Sequence, residues 1–99
     1  MLKISFIDNR TRCLLVLEGK LIAPWAAELR SACEKARADL NGRDLVVEMR
    51  HITTISQEGE NVILELINEG VKFRSCGVFT KHLLKDLARR AHENLKEAN

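Results

Sequence analysis

Asp44-Leu45-Val46-Val47-Glu48-Met49-Arg50-His51-Ile52-Thr53-Thr54-Ile55-Ser56-Gln57-Glu58-Gly59 passes from strand chemistry to helix chemistry in one short stretch. Residues 44–49 are an apolar, β-prone run, which predicts a strand. Arg50 to Ile55 is short and β-prone as well. Ser56 follows with a hydroxyl able to accept from a free backbone N–H, which predicts the cap of a helix. Val62, Ile63, Leu66 and Ile67 then recur at helical spacing, while Asn61, Glu65, Asn68 and Glu69 fall on the other faces. Gly70 predicts the stop.

On the N-terminal side, Leu2, Ile4 and Phe6 alternate with Lys3 and Ser5, the period of a strand wetted on one face. Asp8-Asn9-Arg10 predicts a turn, because Asp and Asn bond their own backbone. Residues 12–18 hold the continuous apolar run Cys13 to Leu17, which predicts a strand buried on both faces and paired antiparallel with the first. Gly19 is expected to end it. Pro24 opens a helical pattern. Trp25, Leu29, Ala32, Cys33, Ala36 and Leu40 form its stripe, Glu28, Arg30, Glu34, Lys35 and Arg37 take the other faces, and Asn41-Gly42 is its expected stop. A helix between two apolar strands predicts a right-handed βαβ unit.

On the C-terminal side, Val71 to Cys76 alternates as a third parallel strand near an edge, followed by Gly77. Thr80 is expected to cap a last helix that buries Leu83, Leu84, Leu87, Ala88, Ala91 and Leu95. The order ββαβαβα predicts one α/β domain over residues 1–99, with a mixed sheet and three main helices.

Composition narrows the function. The chain has 99 residues, 45% hydrophobic and 30% charged, with a net charge of +2, the profile of a soluble globular domain without wholesale affinity for phosphate. No run is long enough to span a bilayer and no signal-peptide pattern opens the chain, so a cytoplasmic location is expected. Four aromatic residues, Trp25, Phe6, Phe73 and Phe79, disfavour a base-stacking platform. Cys13, Cys33 and Cys76 lack C-x-x-C spacing and read as buried small hydrophobes in a reduced compartment. His82 and His92 lie nearly three helical turns apart, too far to share a metal. No cofactor or metal set emerges. Cys13, Cys76 or Ser56 would need a base and an orienting group to act as a nucleophile; His51 is near Ser56 in sequence, but no motif specifically supports such a set, and no catalysis is expected.

Charge is uneven. Residues 44–70 carry Asp44, Glu48, Glu58, Glu60, Glu65 and Glu69 against Arg50, and residues 71–99 are basic. Solvated faces and a polarised docking surface are both readings of this asymmetry. The stripe Lys81, Lys85, Arg89 and His92 comes without a helix-turn-helix pattern or stacking aromatics, which disfavours nucleic acid as a partner.

The stretch Val47 to Gly59 resembles the core motif of the STAS family, the anti-sigma factor antagonists and their relatives. There a strand ending in Val-Asp-Leu-Ser leads through a hydrophobic link to an Asp-Ser-Ser-Gly box that opens a helix. Leu15-Val16-Leu17-Glu18-Gly19-Lys20-Leu21 is similar to the family's strand-Gly-x-Leu signature, and Val71 to Gly77 to its next strand and glycine. The resemblance covers nearly the whole chain. It implies a mixed sheet of four to five strands with helices mainly on one side. It also implies a bacterial cytoplasmic regulator that binds partners and has no catalysis of its own. The implied partner is a serine-kinase-like anti-sigma factor, which phosphorylates the second Ser of the box and thereby breaks the complex. Family members without that acceptor also serve as accessory subunits of membrane transporters.

The box departs from the pattern residue by residue. Ser56 stands where the family has Asp, Gln57 at the first Ser and Glu58 at the phosphoacceptor, with Gly59 retained. Glu48 stands for the strand's Asp, and Ile22 for the Asp that often follows Gly-x-Leu. The implied switch and partner-binding segment is therefore Thr53, Thr54, Ser56, Gln57, Glu58, Gly59, Glu60 and Asn61, with Glu58, Glu60, Asn61 and Glu65 as an acidic rim. Two readings of Glu58 stand side by side. It is a weaker, permanent counterpart of a phosphoserine, or an ordinary acidic helix starter. Displaced phosphorylation would fall on Thr53, Thr54 or Ser56.

Overall fold

Asn9 closes the first turn. Its side-chain oxygen accepts from the backbone N–H of Thr11 at 3.0 Å and of Arg12 at 2.9 Å. This turn joins β1 (Leu2–Asp8) to β2 (Arg12–Leu21) in an antiparallel ladder running from Leu2↔Gly19 to Asp8↔Cys13. α1 (Trp25–Arg37) then crosses to β3 (Asp44–Ile55), parallel to β2, and α2 (Gln57–Asn68) crosses to β4 (Lys72–Ser75), parallel to β3. α3 (Val78–Glu97) follows. The sheet order is β1-β2-β3-β4. The computed structural model describes residues 1–75 and 77–97, except the side chains of 78–79 and 94–97, so the expectations for Cys76, Phe79 and Leu95 lie outside the described residues.

The chain is an α/β domain with a four-stranded mixed sheet and three helices in the expected order. Helix residues Leu29, Cys33, Ile63, Leu66, Leu84 and Leu87 pack with Leu15, Leu17, Val47 and Met49 on one face of the sheet. The opposite face holds a small cluster of Leu14, Val16 and Val46. β2 is thus buried on both faces, as its unbroken apolar run requires.

Several boundaries differ from expectation. Gly19 does not end β2. At φ +113° it sits inside the strand, which continues to Leu21, with register shifts against β3 between Leu17 and Glu18 and between Gly19 and Lys20. These irregularities let β3 absorb Arg50 to Ile55 into a single strand. α1 ends at Arg37, before the expected stop. Arg43 holds that end, its guanidinium donating to the carbonyls of Leu40 at 2.8 Å and Asp39 at 2.7 Å. Asn41 and Gly42, both at positive φ, turn the chain into β3. Thr80 is not the cap of α3. Gly77 accepts the first helical bond, from the Lys81 N–H at 2.9 Å, and Thr80 lies buried in the first turn, bonded to Ser75 and to the Gly77 carbonyl. Ala88 is exposed, whereas Leu84, Leu87 and Ala91 are buried.

Candidate functional site

The segment from Thr53 to Asn61 sits where β3 hands over to α2. Thr53 and Thr54 are exposed at the end of β3. The Thr53 hydroxyl donates to the Gly19 carbonyl at 3.2 Å, which ties it to the irregular part of β2. The Ser56 N–H donates to the Leu21 carbonyl at 3.1 Å, docking the loop on the end of β2. Ser56 caps α2 as expected, its Oγ accepting from the Gly59 N–H at 3.3 Å.

Gly59 is buried in the first turn against that same Leu21 carbonyl. A Cβ there would fall well inside van der Waals contact of the carbonyl oxygen and 3.1 Å from the Ile55 and Leu21 side chains. The glycine lets the helix start close to β2. That brings Gln57, Glu58 and Asn61 to the surface as a compact polar turn, with Gln57 donating to Asn61 at 3.1 Å.

Glu58 is exposed at the second helical position. Its carboxyl is held below the usual carboxylate range, first by the backbone N–H of its own position and then by the Ser56 hydroxyl. Both donors belong to the helix start, where free N–H groups and the macrodipole favour an anion.

The expected acidic rim is only partly present. Glu60 is half-buried and bonded to Arg90 of α3 at 3.2 Å. Glu65 pairs with Arg30 of α1, and Glu69 with both Arg30 and Arg37. The acidic helix lies between two helices that supply arginines, so most of its charge is paired helix to helix. In α3, Arg89 is likewise bonded to Asp86 and Glu93. Glu58 is left as the exposed acid of the first turn.

Two features emerge only in the fold, the cluster around Glu48 and a groove. On the face opposite the helices, Glu48 is 6% exposed and takes one oxygen to Arg74 at 2.9 Å and the other to Arg50 at 2.8 Å. Burial pushes its carboxyl up, but hydrogen bonds and charge from the two guanidiniums outweigh burial and hold it below the usual carboxylate range. Arg74 is the direct cross-strand neighbour of Glu48, and its position on the alternating β4 run was the available signal. The second feature is an apolar groove of about 480 Å³ between β1 and α1.

A pH effect follows from Glu48. Its folded pKa lies below its unfolded one, so the cluster stabilises fully above the unfolded value and loses that effect as pH falls through the folded value. Glu48→Gln should lower stability by about 1–2 kcal/mol at pH 7, less than a fully buried pair because both arginines are half-exposed. Urea denaturation of both proteins from pH 7 to pH 2.5 checks this. The gap between them should start to narrow as pH falls past the ordinary glutamate value and close once it has passed the lowered folded value.

Neither Cys13 nor Cys33 is an activated thiol. Burial pushes the Cys33 thiol up to about 11, the opposite of an activated nucleophile. Cys13 is also buried, and its thiol is raised by burial and by Asp8. Among the described residues no group of His, Cys, Asp and Glu is placed to hold a metal ion, and no helix is long and apolar enough to cross a membrane. The chain matches no family model and no curated protein.

Proposed function

We propose that the chain is a non-catalytic, cytoplasmic, partner-binding regulator of the anti-sigma factor antagonist type. Its docking edge is the turn from Thr53 to Asn61. The observation that carries this reading is Glu58, an exposed, ionised carboxylate at the second position of a helix whose start is fixed by Ser56 and Gly59. A phosphoserine at this place would add about −1.5 to −2 charges and extra acceptor oxygens, and Glu58 supplies −1 permanently. The chain thus stands constitutively near the phosphorylated state, and its association with a serine-kinase-like anti-sigma factor is weak and unswitched.

Affinity capture of the tagged protein from its own cells, beside Glu58→Ser, tests this. The expected result is a kinase-like anti-sigma factor retained at least about tenfold better by Glu58→Ser, with phosphate appearing on the new serine. A transporter subunit retained equally by both proteins would overturn the reading in favour of an accessory subunit, with Glu58 only a helix starter.

A further inference from the structure

We propose that β1 is a homodimer interface: two copies of this chain pair antiparallel through their β1 edges about a two-fold axis at Ser5. This stands apart from the partner-binding edge at Glu58. β1 is the outer strand of the sheet, so among the described residues one of its sides bonds no other strand. The Met1 carbonyl accepts from Lys20 and the Asn9 N–H donates to Arg12, at the two ends of the β1–β2 ladder. Backbone groups alternate sides along an antiparallel strand. Lys3, Ser5 and Ile7 therefore aim their N–H and C=O at β2, and Leu2, Ile4, Phe6 and Asp8 aim theirs at the free edge.

Natural edges are blunted by prolines, charged side chains (lysine above all) or covering loops. Between Leu2 and Ile7 the only charge is Lys3, whose ammonium lies 4.0 Å from Glu18 of β2. Here Phe6 is 55% exposed and Ile7 47%. The groove lies between Ile4 and Phe6 of β1 and Ala27, Ser31 and Ala32 of α1, with Glu28 and Lys35 also on its wall. Lys35 stands at the Phe6–Asp8 end, since it also lines the adjoining depression with Phe6, Asp8 and Asp39. Glu28, two turns earlier on the same helix, marks the Ile4 end.

The occupant follows from self-complementarity. An isologous contact needs one patch that matches itself after a two-fold rotation. Rotation about Ser5 sets Ile4 opposite the partner's Phe6 and Leu2 opposite the partner's Asp8. These residues aim their backbone groups outward, so every free N–H and C=O of the edge finds a counterpart. Ile4 and Phe6 share the groove side, so apolar meets apolar. The same rotation runs the two α1 helices antiparallel and brings Glu28 of each to the level of Lys35 of the other. Hydrogen-bond parity allows any residue-centred axis, and the Ile4–Phe6 pairs together with the levels of Glu28 and Lys35 place it at Ser5.

Sedimentation equilibrium on the full chain, from about 5 to 500 μM, tests the proposal. A concentration-dependent monomer–dimer equilibrium is expected. Phe6→Pro removes an outward N–H while leaving the bonds to β2 intact, and should weaken the dimer at least tenfold. Lys35→Glu turns both Glu28–Lys35 pairs into repulsions and should weaken it about tenfold, and Glu28→Lys added to Lys35→Glu should restore it. Ser5 faces its own copy across the axis at a close, non-hydrogen-bonded pair. Ser5→Cys in a Cys76→Ala background should therefore form a disulfide-linked dimer with oxidised glutathione, while Lys3→Cys in the same background should not. Circular dichroism on each variant checks that the fold survives. A chain that stays monomeric throughout, or a dimer indifferent to Phe6→Pro and Lys35→Glu, overturns the proposal. Failure of the charge swap to restore association overturns the two-fold register.

Discussion

Gly59→Ala should destabilise the chain by about 2 kcal/mol, although alanine is the better helix former. In an open helix the change gains up to about 1 kcal/mol. Here the added methyl meets the Leu21 carbonyl, which is backbone and already accepts the Ser56 N–H. A flexible side chain would turn aside, but a carbonyl in a strand end has nowhere to go. Overpacking of this kind costs up to about 3 kcal/mol, and the propensity gain offsets only part of it. The melting temperature should fall by roughly 8–16 °C, as a shift of this size does in a domain of this length. The damage is local to the proposed docking turn, because α2 must lift from β2 to make room, and Gln57, Glu58 and Asn61 move with it. Partner affinity should fall together with stability. Thermal denaturation beside Gln57→Ala, which changes an exposed residue of the same turn, separates this effect from general sensitivity of the helix start. Equal melting temperatures for wild type and Gly59→Ala would show that the contact is not limiting.

The element order was readable because its signals are local. Period-2 alternation in residues 2–8, the unbroken apolar run from Cys13 to Leu17 and the stripe from Val62 to Ile67 each report the burial of their own element. The Ser56 cap was readable for the same reason, since its partner, Gly59, is three residues away. What escaped needs a neighbour distant in sequence. The β3 strand runs to Ile55 because irregular pairing with β2 accommodates Arg50 and Thr53, and no pattern within β3 alone signals that. Glu60, Glu65 and Glu69 look like a solvated acidic face until Arg90, Arg30 and Arg37 are placed opposite them. Burial of Glu48 on the helix-free face depends on Arg74, supplied by another strand. Gly19 reads as a strand end in the sequence, and Gly59 as the retained glycine of the box. In the fold they are points of contact, between β2 and the start of β1 and between α2 and the end of β2.

Gly19→Ala should be the more severe of the two glycine changes, at about 3–4 kcal/mol. Two costs combine at this position. The backbone stands at φ +113°, outside the regions open to a residue with a Cβ, and holding alanine there costs about 1–3 kcal/mol. A Cβ would also fall inside contact of the Met1 carbonyl, which accepts from the Lys20 N–H at 3.0 Å and closes the end of the β1–β2 ladder. Relief of either cost worsens the other. Rotating φ to negative values breaks the register shift that carries β2 on to Leu21, and moving Met1 away opens the ladder at Leu2. Gly70→Ala is the control for strain alone, since Gly70 has φ +93° and open space around the added methyl. It should cost about 1 kcal/mol, so its difference from Gly19→Ala measures the contact with β1. Urea denaturation of the three proteins gives these values directly. If Gly19→Ala and Gly70→Ala are equally stable, β1 yields without cost at its N-terminal end, and Leu2 is not anchored as the ladder indicates. If they differ as expected, the same glycine that lets β2 run on to Leu21 also sets the position of β1. Loss of Gly19 would then disturb both the seat of the Ser56 loop, which hangs on the Leu21 carbonyl, and the β1 edge proposed to join two copies of the chain.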